Sequence, residues 1–125
     1  MLSELNNLEW FKTGFETYNP LPDTLSNIKN SLKGFLIEIV IDMDCEDVQF
    51  LIPKLFKTLH LCETTNYIIY KIDLKKLPAT INTHRVERSP TIVFIKNGTE
   101  QFRITEKITY TASIENEIEM LLSKN

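Results

Sequence analysis

The sequence predicts a single α/β domain with three layers, in which helices flank a central mixed sheet of about four strands. Runs rich in β-branched residues alternate along the chain with segments whose apolar residues recur at helical spacing. Strands separated by helices favour parallel crossovers, and a late Asn97-Gly98 pair predicts a hairpin that adds an antiparallel strand. The length of 125 residues suits one domain with its own core.

Four segments have the composition of β-strands. The first follows a glycine and is apolar at nearly every position, which predicts a central strand buried on both faces. Residues 75–86 show no clear period, and we expect Pro78 to open a short helix there. The predicted strands are residues 35–41, 67–73, 91–95 and 100–106.

Two helices are predicted before the first strand. Apolar side chains in residues 4–17 recur at the spacing of one face of a helix, which predicts the first helix. The proline-containing segment 19–22 is expected to end it. Asp23 is expected to be the N-cap of the second helix, which stops at Gly34. The aromatic residues of the first helix are expected to pack it onto the domain, with a partner surface as the alternative: Trp10, Phe11 and Phe15.

Two further helices are predicted later in the chain. Apolar residues recur at helical spacing over residues 48–59, and Pro53 lies inside this segment. An interior proline costs about 3 kcal/mol and is expected to kink the helix. A closing helix over residues 114–122 is expected to be capped by Ser113 or Thr111.

Charge and composition exclude several classes of function. The net charge is −3 and there is no basic run, so binding to nucleic acid or to anionic lipid is not expected. No segment approaches the roughly 20 apolar residues of a membrane span. Residues 1–10 contain no Lys or Arg, unlike a secretory signal, and two cysteines are too few for a disulfide framework. We therefore expect a cytoplasmic protein with reduced thiols.

Four features around Cys45 resemble the thioredoxin-like family. The cysteine follows an apolar strand and precedes a helix whose Pro53 lies eight residues further on. Ser89-Pro90 stands before a strand and resembles the cis-proline that lies beside the active-site sulfur in that family. Residues 90–98 resemble the family's run of Pro-Thr, four apolar residues and Lys-Asn-Gly. The resemblance covers roughly residues 24–123.

The cysteine loop is similar to one thioredoxin-like subfamily in particular. Residues 44–47, Asp-Cys-Glu-Asp, resemble a motif that reads Asp-Trp-Cys-x-Asp. Members of that subfamily often carry an extra N-terminal helix. The resemblance therefore implies a helical extension over residues 1–20 and a thioredoxin-like domain over residues 21–125.

The chain departs from the family at the active site. Val48 stands where the second cysteine of Cys-x-x-Cys is expected, and Glu46-Asp47 replace Gly-Pro. Asp44 stands where the family has Trp. The family's buried carboxylate falls on Ile39 and its buried lysine near Ile69, so both charged partners are replaced by apolar residues. Their joint loss is consistent, because either charge alone is costly to bury.

The resemblance implies a monothiol route of thiol–disulfide exchange, with Cys45 as the candidate nucleophile. An external thiol such as glutathione would resolve the mixed disulfide, so no bound cofactor and no metal are expected. The partner would be a protein or a low-molecular-weight disulfide, and the chain is expected to be a monomer or a weak dimer. The alternative is a redox-inactive binding module that keeps the scaffold. The residues expected to contact the partner are Asp44, Glu46, Asp47, Val48, Ser89, Pro90 and Thr91.

Two opposing electrostatic effects act on Cys45. At the N-terminus of a helix, the dipole and the free backbone N–H groups favour an anion such as a thiolate. Three carboxylates within two residues oppose it, because like charges repel. The dipole is equivalent to about half a charge and the carboxylates are partly screened, so the two effects are comparable.

The remaining cysteine and the histidines are expected to play structural roles. Cys62 lies seventeen residues from Cys45, about 25 Å along a helix, so the two cannot form a disulfide. We expect Cys62 to be a half-buried structural residue, and His60 with Cys62 is too small a set for a metal site. His84 is expected in a loop, exposed to solvent.

Overall fold

The computed structural model describes residues 2–105 and 113–124, which form a mixed α/β domain. Glu106 and Thr111, predicted at the end of the last strand and as a helix cap, lie outside the described residues. The helices of the described part are α1 (Leu2–Leu5), α2 (Glu9–Thr17), α3 (Pro22–Leu32), α4 (Glu46–Leu61) and α5 (Ile114–Ser123). The strands are β1 (Leu36–Ile41), β2 (Tyr67–Lys71), β3 (Ala79–Ile81), β4 (His84–Val86), β5 (Thr91–Lys96) and β6 (Thr99–Thr105).

Four strands form the central sheet in the order β2-β1-β5-β6, which confirms the predicted mixed sheet. β1 pairs parallel with β2 and antiparallel with β5, and β5 pairs antiparallel with β6. The turn between β5 and β6 contains Asn97 and Gly98, with φ of 55° and 77°. Two consecutive positive φ values suit the Asn-Gly pair, so the predicted hairpin is confirmed.

One face of the sheet packs against the helices. The alternate β1 residues Ile37, Ile39 and Ile41 belong to one buried cluster with apolar residues of β5, β6 and all five helices. Because side chains alternate along a strand, these three residues share a face of the sheet. The predicted burial of β1 is confirmed, since five of its six residues are buried.

The opposite face of the sheet is covered by the β3–β4 hairpin. Val40, Val93 and Ile95 are buried outside the helix-facing cluster, together with Val86 of β4. The segment before this hairpin is a short 3₁₀ turn, Leu74–Lys76. The prediction of a helix opened by Pro78 is therefore wrong, since the chain forms its 3₁₀ turn before that proline and a hairpin after it. The third layer is a hairpin with a 3₁₀ turn.

The structure corrects two details of the N-terminal helices. The helix predicted over residues 4–17 is two helices, α1 and α2. Leu21 is the N-cap of α3, and Pro22 occupies its first turn, so Asp23 is not the N-cap. Proline suits this position because its missing N–H would have no intrahelical partner. The carboxylate of Asp23 instead lies in the first turn, where it complements the helix dipole.

The later helices agree with the sequence. α4 runs without interruption through Pro53, and α5 is capped by Ser113, whose hydroxyl accepts a hydrogen bond from the Asn116 N–H at 3.4 Å. No helix among the described residues is long and apolar enough to cross a membrane.

The N-terminal segment contacts the domain at several points, two of which involve Glu115 and Pro53. Tyr18 donates its phenolic hydrogen to Glu115 of α5, a buried carboxylate that also accepts from the Leu21 N–H at 2.8 Å. Burial raises the pKa of Tyr18, and the bond to Glu115 adds to this shift. The second point is the contact of α2 with α4, where Gly14 faces the ring of Pro53.

We predict that Gly14→Ala destabilises the protein by about 1–3 kcal/mol. A Cβ at position 14 would lie 2.6 Å from Pro53 Cβ and 2.9 Å from Pro53 Cγ, and the proline ring cannot rotate away. Urea denaturation followed by circular dichroism measures the change. Gly34→Ala is the matched control, because its Cβ would meet Ser31 O at an ordinary 3.6 Å. Equal stability of the two variants would contradict this packing.

Candidate functional site

Cys45 is the N-cap of α4 and is half-buried. Its backbone is extended, with φ of −78° and ψ of 126°, and its carbonyl accepts the Gln49 N–H of the first helical turn at 3.2 Å. The thiol donates a hydrogen bond to the Ser89 carbonyl oxygen, 3.4 Å away. The fold therefore brings the start of α4 against the segment that leads into β5.

Asp42, which directly follows β1, fixes the geometry of this region. Its carboxylate accepts the Asp44 N–H through Oδ1 and the Leu74 N–H through Oδ2, both at 2.8 Å. Its own N–H donates to Ser89 Oγ at 2.9 Å, and its carbonyl accepts the Cys45 N–H at 3.2 Å. One residue thus connects the end of the central strand, the cysteine loop, the 3₁₀ turn and Ser89.

The segment Ser89–Pro90–Thr91 is buried beside the cysteine loop. The Ser89–Pro90 peptide bond is cis, as the resemblance implies, and so is Leu77–Pro78. Thr91 donates its hydroxyl hydrogen to the Arg88 carbonyl at 2.7 Å. The side chains of Ser89 and Thr91 are thus used within the fold, and the thiol bonds to the backbone of this segment.

The residues predicted to contact a partner fall into two groups. Asp44 and Glu46 are exposed on either side of Cys45, and Asp47 is half-buried. Val48 is fully buried in the core cluster, so its side chain does not reach the surface. We call the group formed by Asp42, Cys45, Ser89 and Pro90 the thiol site.

Both cysteines are free thiols. Cys62 is fully buried at the C-terminal end of α4, more completely than the half-buried position predicted from the sequence. Burial raises the pKa of its thiol. Cys62 therefore belongs to the core, and Cys45 is the more accessible of the two.

The thiol site holds a half-buried thiol at a helix N-terminus, and the hydrogen bond of that thiol favours its protonated form. A carbonyl oxygen accepts from the protonated thiol and offers nothing to a thiolate. A thiolate would instead be favoured by the positive end of the α4 dipole, which lies at the start of the helix. Reaction at Cys45 thus requires the bond to Ser89 to be broken.

Sequence reasoning missed a second group of polar residues, on the opposite face of the sheet. Glu38 in β1 is only 2% exposed. It accepts hydrogen bonds from the Asn82 amide and, at 3.4 Å, from the Tyr70 hydroxyl. His84 Nε2 lies 3.7 Å from its other oxygen, Oε1, which has no hydrogen-bond partner. The resemblance places the family's buried carboxylate at position 39, where this chain has isoleucine. The chain nevertheless buries a carboxylate one residue earlier, at Glu38.

The same group continues through His84 to β6. His84 Nδ1 lies 3.2 Å from Glu100 Oε1, and Arg103 donates two hydrogen bonds to the Glu100 carboxylate, both at 2.6 Å. Hydrogen bonding to Arg103 lowers the pKa of Glu100, and His84 adds to this effect. The prediction of an exposed loop His84 is wrong: it lies in β4, its side chain is 10% exposed, and it sits between two carboxylates. We call Glu38, Tyr70, Asn82, His84, Glu100 and Arg103 the Glu38 cluster.

One signal in the sequence could have revealed this cluster. A glutamate in the middle of an apolar strand, Leu-Ile-Glu-Ile-Val-Ile, must be paired if the strand is buried. The partners could not be identified in advance, because Asn82 and His84 lie more than forty residues away in the chain. Within the described residues, no group of three or more His, Cys, Asp or Glu side chains could hold a metal ion.

Comparison with known proteins adds information on the fold only. No protein-family model matches the chain, and no curated protein matches it. Among solved structures, the chain is similar to a protein of unknown function from Pseudomonas aeruginosa, with a TM-score of 0.61 and 11% sequence identity. The alignment covers 99% of this chain and 87% of that one. The two proteins share a fold.

We predict that Glu100→Gln lowers the free energy of unfolding at pH 7 by about 1–2 kcal/mol. The folded pKa of Glu100 lies below its ordinary value of 4.5, so its contribution is complete above that pH and is lost as the pH falls through the folded pKa. Urea denaturation at a series of pH values should therefore show that the free energies of unfolding of the variant and of the unchanged protein become equal below about pH 4.5.

Glu87→Gln is the control for this experiment. Glu87 also pairs with an arginine, Arg85 at 2.8 Å, but both side chains are exposed. An exposed pair contributes little, so Glu87→Gln should leave the urea midpoint of unfolding nearly unchanged across the same pH range. If the difference in free energy of unfolding between the Glu100→Gln variant and the unchanged protein stayed constant down to pH 3, the ionised Glu100 carboxylate would not be the cause of that difference.

Proposed function

We propose that the protein is a thioredoxin-like monothiol that exchanges disulfides through Cys45. The observation that carries the proposal is the position of the Cys45 sulfur, half-buried at the N-terminus of α4 and 3.4 Å from the Ser89 carbonyl oxygen. A domain with a four-stranded mixed sheet and N-terminal helices is compatible with the fold and the extension that the sequence motifs imply.

The proposed reaction has two steps. The Cys45 thiolate attacks one sulfur of a disulfide between a partner and glutathione, forming a new S–S bond with glutathione as the old one breaks. The released partner thiolate takes up a proton. A second glutathione thiolate then attacks the mixed disulfide, releasing oxidised glutathione and restoring Cys45. Overall, the second glutathione thiol is oxidised as it joins the first in a disulfide, and the partner sulfur is reduced to a thiol, so no second protein cysteine is needed.

Residues around Cys45 would have separate roles in this exchange. The helix dipole at the start of α4 would stabilise the thiolate. Asp42 would act as a positioning residue, because it holds both the cysteine loop and Ser89. The exposed carboxylates of Asp44 and Glu46 would favour partners with basic residues beside the disulfide.

A second candidate function is a redox-inactive binding module. It is favoured by the bond from the Cys45 thiol to Ser89, which only the protonated form makes, and by the carboxylates on either side. In this case the surface beside Pro90 would hold a protein partner, and Cys45→Ser would leave that binding intact.

We predict that oxidised glutathione modifies Cys45 at least about ten times faster than it modifies an unfolded peptide of residues 42–49. The folded helix supplies N–H groups and a dipole that the peptide lacks. Intact-protein mass spectrometry of the Cys62→Ser variant follows the adduct, and added glutathione should then remove it. The double variant Cys45→Ser/Cys62→Ser is the control and should form no adduct. If Cys45 in the folded protein reacts with oxidised glutathione no faster than the peptide does, the proposal of a monothiol enzyme is wrong and the binding module is the function that remains.

A further inference from the structure

Strand β2 is an apolar strand at the edge of the central sheet. It lies at one end of the strand order and, within the described residues, pairs on one side only, with β1. None of its five residues is buried, although the first four are isoleucines and tyrosines. In β1 and in β5, by contrast, five of six residues are buried. The side chain of Ile68, in the middle of β2, is 43% exposed.

The backbone groups of alternate β2 residues point away from the sheet. The carbonyl of Asn66 and the N–H of Ile72 both bond to β1, at 3.0 and 2.8 Å. Because alternate residues of a strand face the same neighbour, Ile69 and Lys71 direct their N–H and C=O groups outward. Within the described residues, no strand receives these outward groups.

Strand β2 also lacks the features that keep sheet edges from pairing. Natural edge strands are commonly blocked by charges, prolines or bulges. Strand β6, at the other end of the sheet, carries Glu100 and Arg103, and its register with β5 shifts along its length. Strand β2 contains no proline and pairs with β1 in a regular register. Its one charge, Lys71, is its last residue and pairs with Glu4 at 2.9 Å.

The sequence of β2 is complementary to itself when two copies run antiparallel about Ile69. In that register the outward groups of the two Ile69 residues exchange two hydrogen bonds, and the Lys71 N–H of each copy faces the Tyr67 carbonyl of the other. Ile68 of each copy lies opposite Tyr70 of the other, a pair of β-branched and aromatic side chains that stabilises sheets.

The charge of Lys71 also favours the antiparallel arrangement. The two lysines then lie at opposite ends of the paired strands, about 14 Å apart, which exceeds the Debye length of about 8 Å at physiological ionic strength. A parallel arrangement in the same register would place the two Lys71 side chains directly opposite each other, about 5 Å apart, where they would repel.

We propose that the protein forms a symmetric dimer in which two β2 strands pair antiparallel about Ile69 and join two four-stranded sheets into one. A twofold pairing of this kind closes on itself, because each copy uses its β2 edge once. One pair of five-residue strands gives a small interface, so the dimer is weak and reversible. The dimer goes beyond the proposed thiol chemistry, because β2 contains no residue of the thiol site.

Sedimentation velocity of the full chain at a series of concentrations, from about 10 µM to about 1 mM, measures the association. A reductant in the buffer prevents a disulfide between the Cys45 residues of two copies. We expect the sedimentation coefficient to rise with concentration from that of a monomer to that of a dimer. A monomer at every concentration would overturn the proposal and leave the edge to a strand of another protein. Species larger than a dimer would also overturn it.

Hydrogen exchange of backbone amides, followed by NMR, locates the interface. The Ile69 and Lys71 amides should exchange at least about tenfold more slowly at a concentration at which the dimer forms than in dilute protein. The amides of Ile68 and Tyr70 face β1 and should be protected at both concentrations. A dimer in which Ile69 and Lys71 remain unprotected would have a different interface and would overturn the proposal.

The variant Ile68→Lys tests the side-chain pairing. In the dimer it replaces both Ile68–Tyr70 pairs and places two lysines on one face about 7–8 Å apart, so the dissociation constant should rise at least about tenfold. Circular dichroism verifies that the variant is folded, as expected for a side chain that is 43% exposed. Gln101→Lys is the matched control, because Gln101 is an exposed residue of β6, and it should leave the dissociation constant unchanged. Unchanged association of Ile68→Lys would overturn the assigned pairing.

Discussion

The second face of the domain depends on one buried carboxyl group at the centre of the sheet, that of Glu38. Glu38 lies on β1, between β2 and β5, and pairs in register with Val93. Leaving this carboxylate unpaired would cost several kcal/mol, so the face that it shares with Val40 and Val93 cannot be covered by apolar side chains alone. The β3–β4 hairpin supplies Asn82 and His84 from above the sheet. The segment between β2 and β5 thus places two polar side chains, Asn82 and His84, over Glu38 of the central strand.

The same strand also positions the thiol site. Immediately after its last buried residue, Asp42 accepts two backbone N–H groups and donates to Ser89 Oγ. These bonds orient the peptide groups before Cys45 and the turn before the β3–β4 hairpin at the same time. The position of the sulfur next to Ser89 is therefore set mainly by backbone contacts that Asp42 and the end of β1 organise. This explains how the cysteine can be held in place although the residue that follows it, Glu46, is exposed and Asp47 is only half-buried.

Sequence reasoning succeeded where the determining contacts are local. Asn97 and Gly98 specify their turn by their own backbone preferences, and Ser113 caps the helix that begins at the next residue. It failed for β3 and β4, because strands of three residues carry almost no period and the contact of His84 with Glu38 joins residues far apart in the chain. The contact of Cys45 with Ser89 was anticipated from resemblance and not from spacing.

Helix α4 links the thiol site to the N-terminal helices. Cys45 is its N-cap, whereas Phe56, three turns further on, packs on Phe11 of α2 with ring centroids 5.8 Å apart. Between them, Pro53 rests against Gly14, so the middle of the helix is held against α2. A change in the packing around Phe56 would therefore have to move this middle segment of α4 to reach the sulfur.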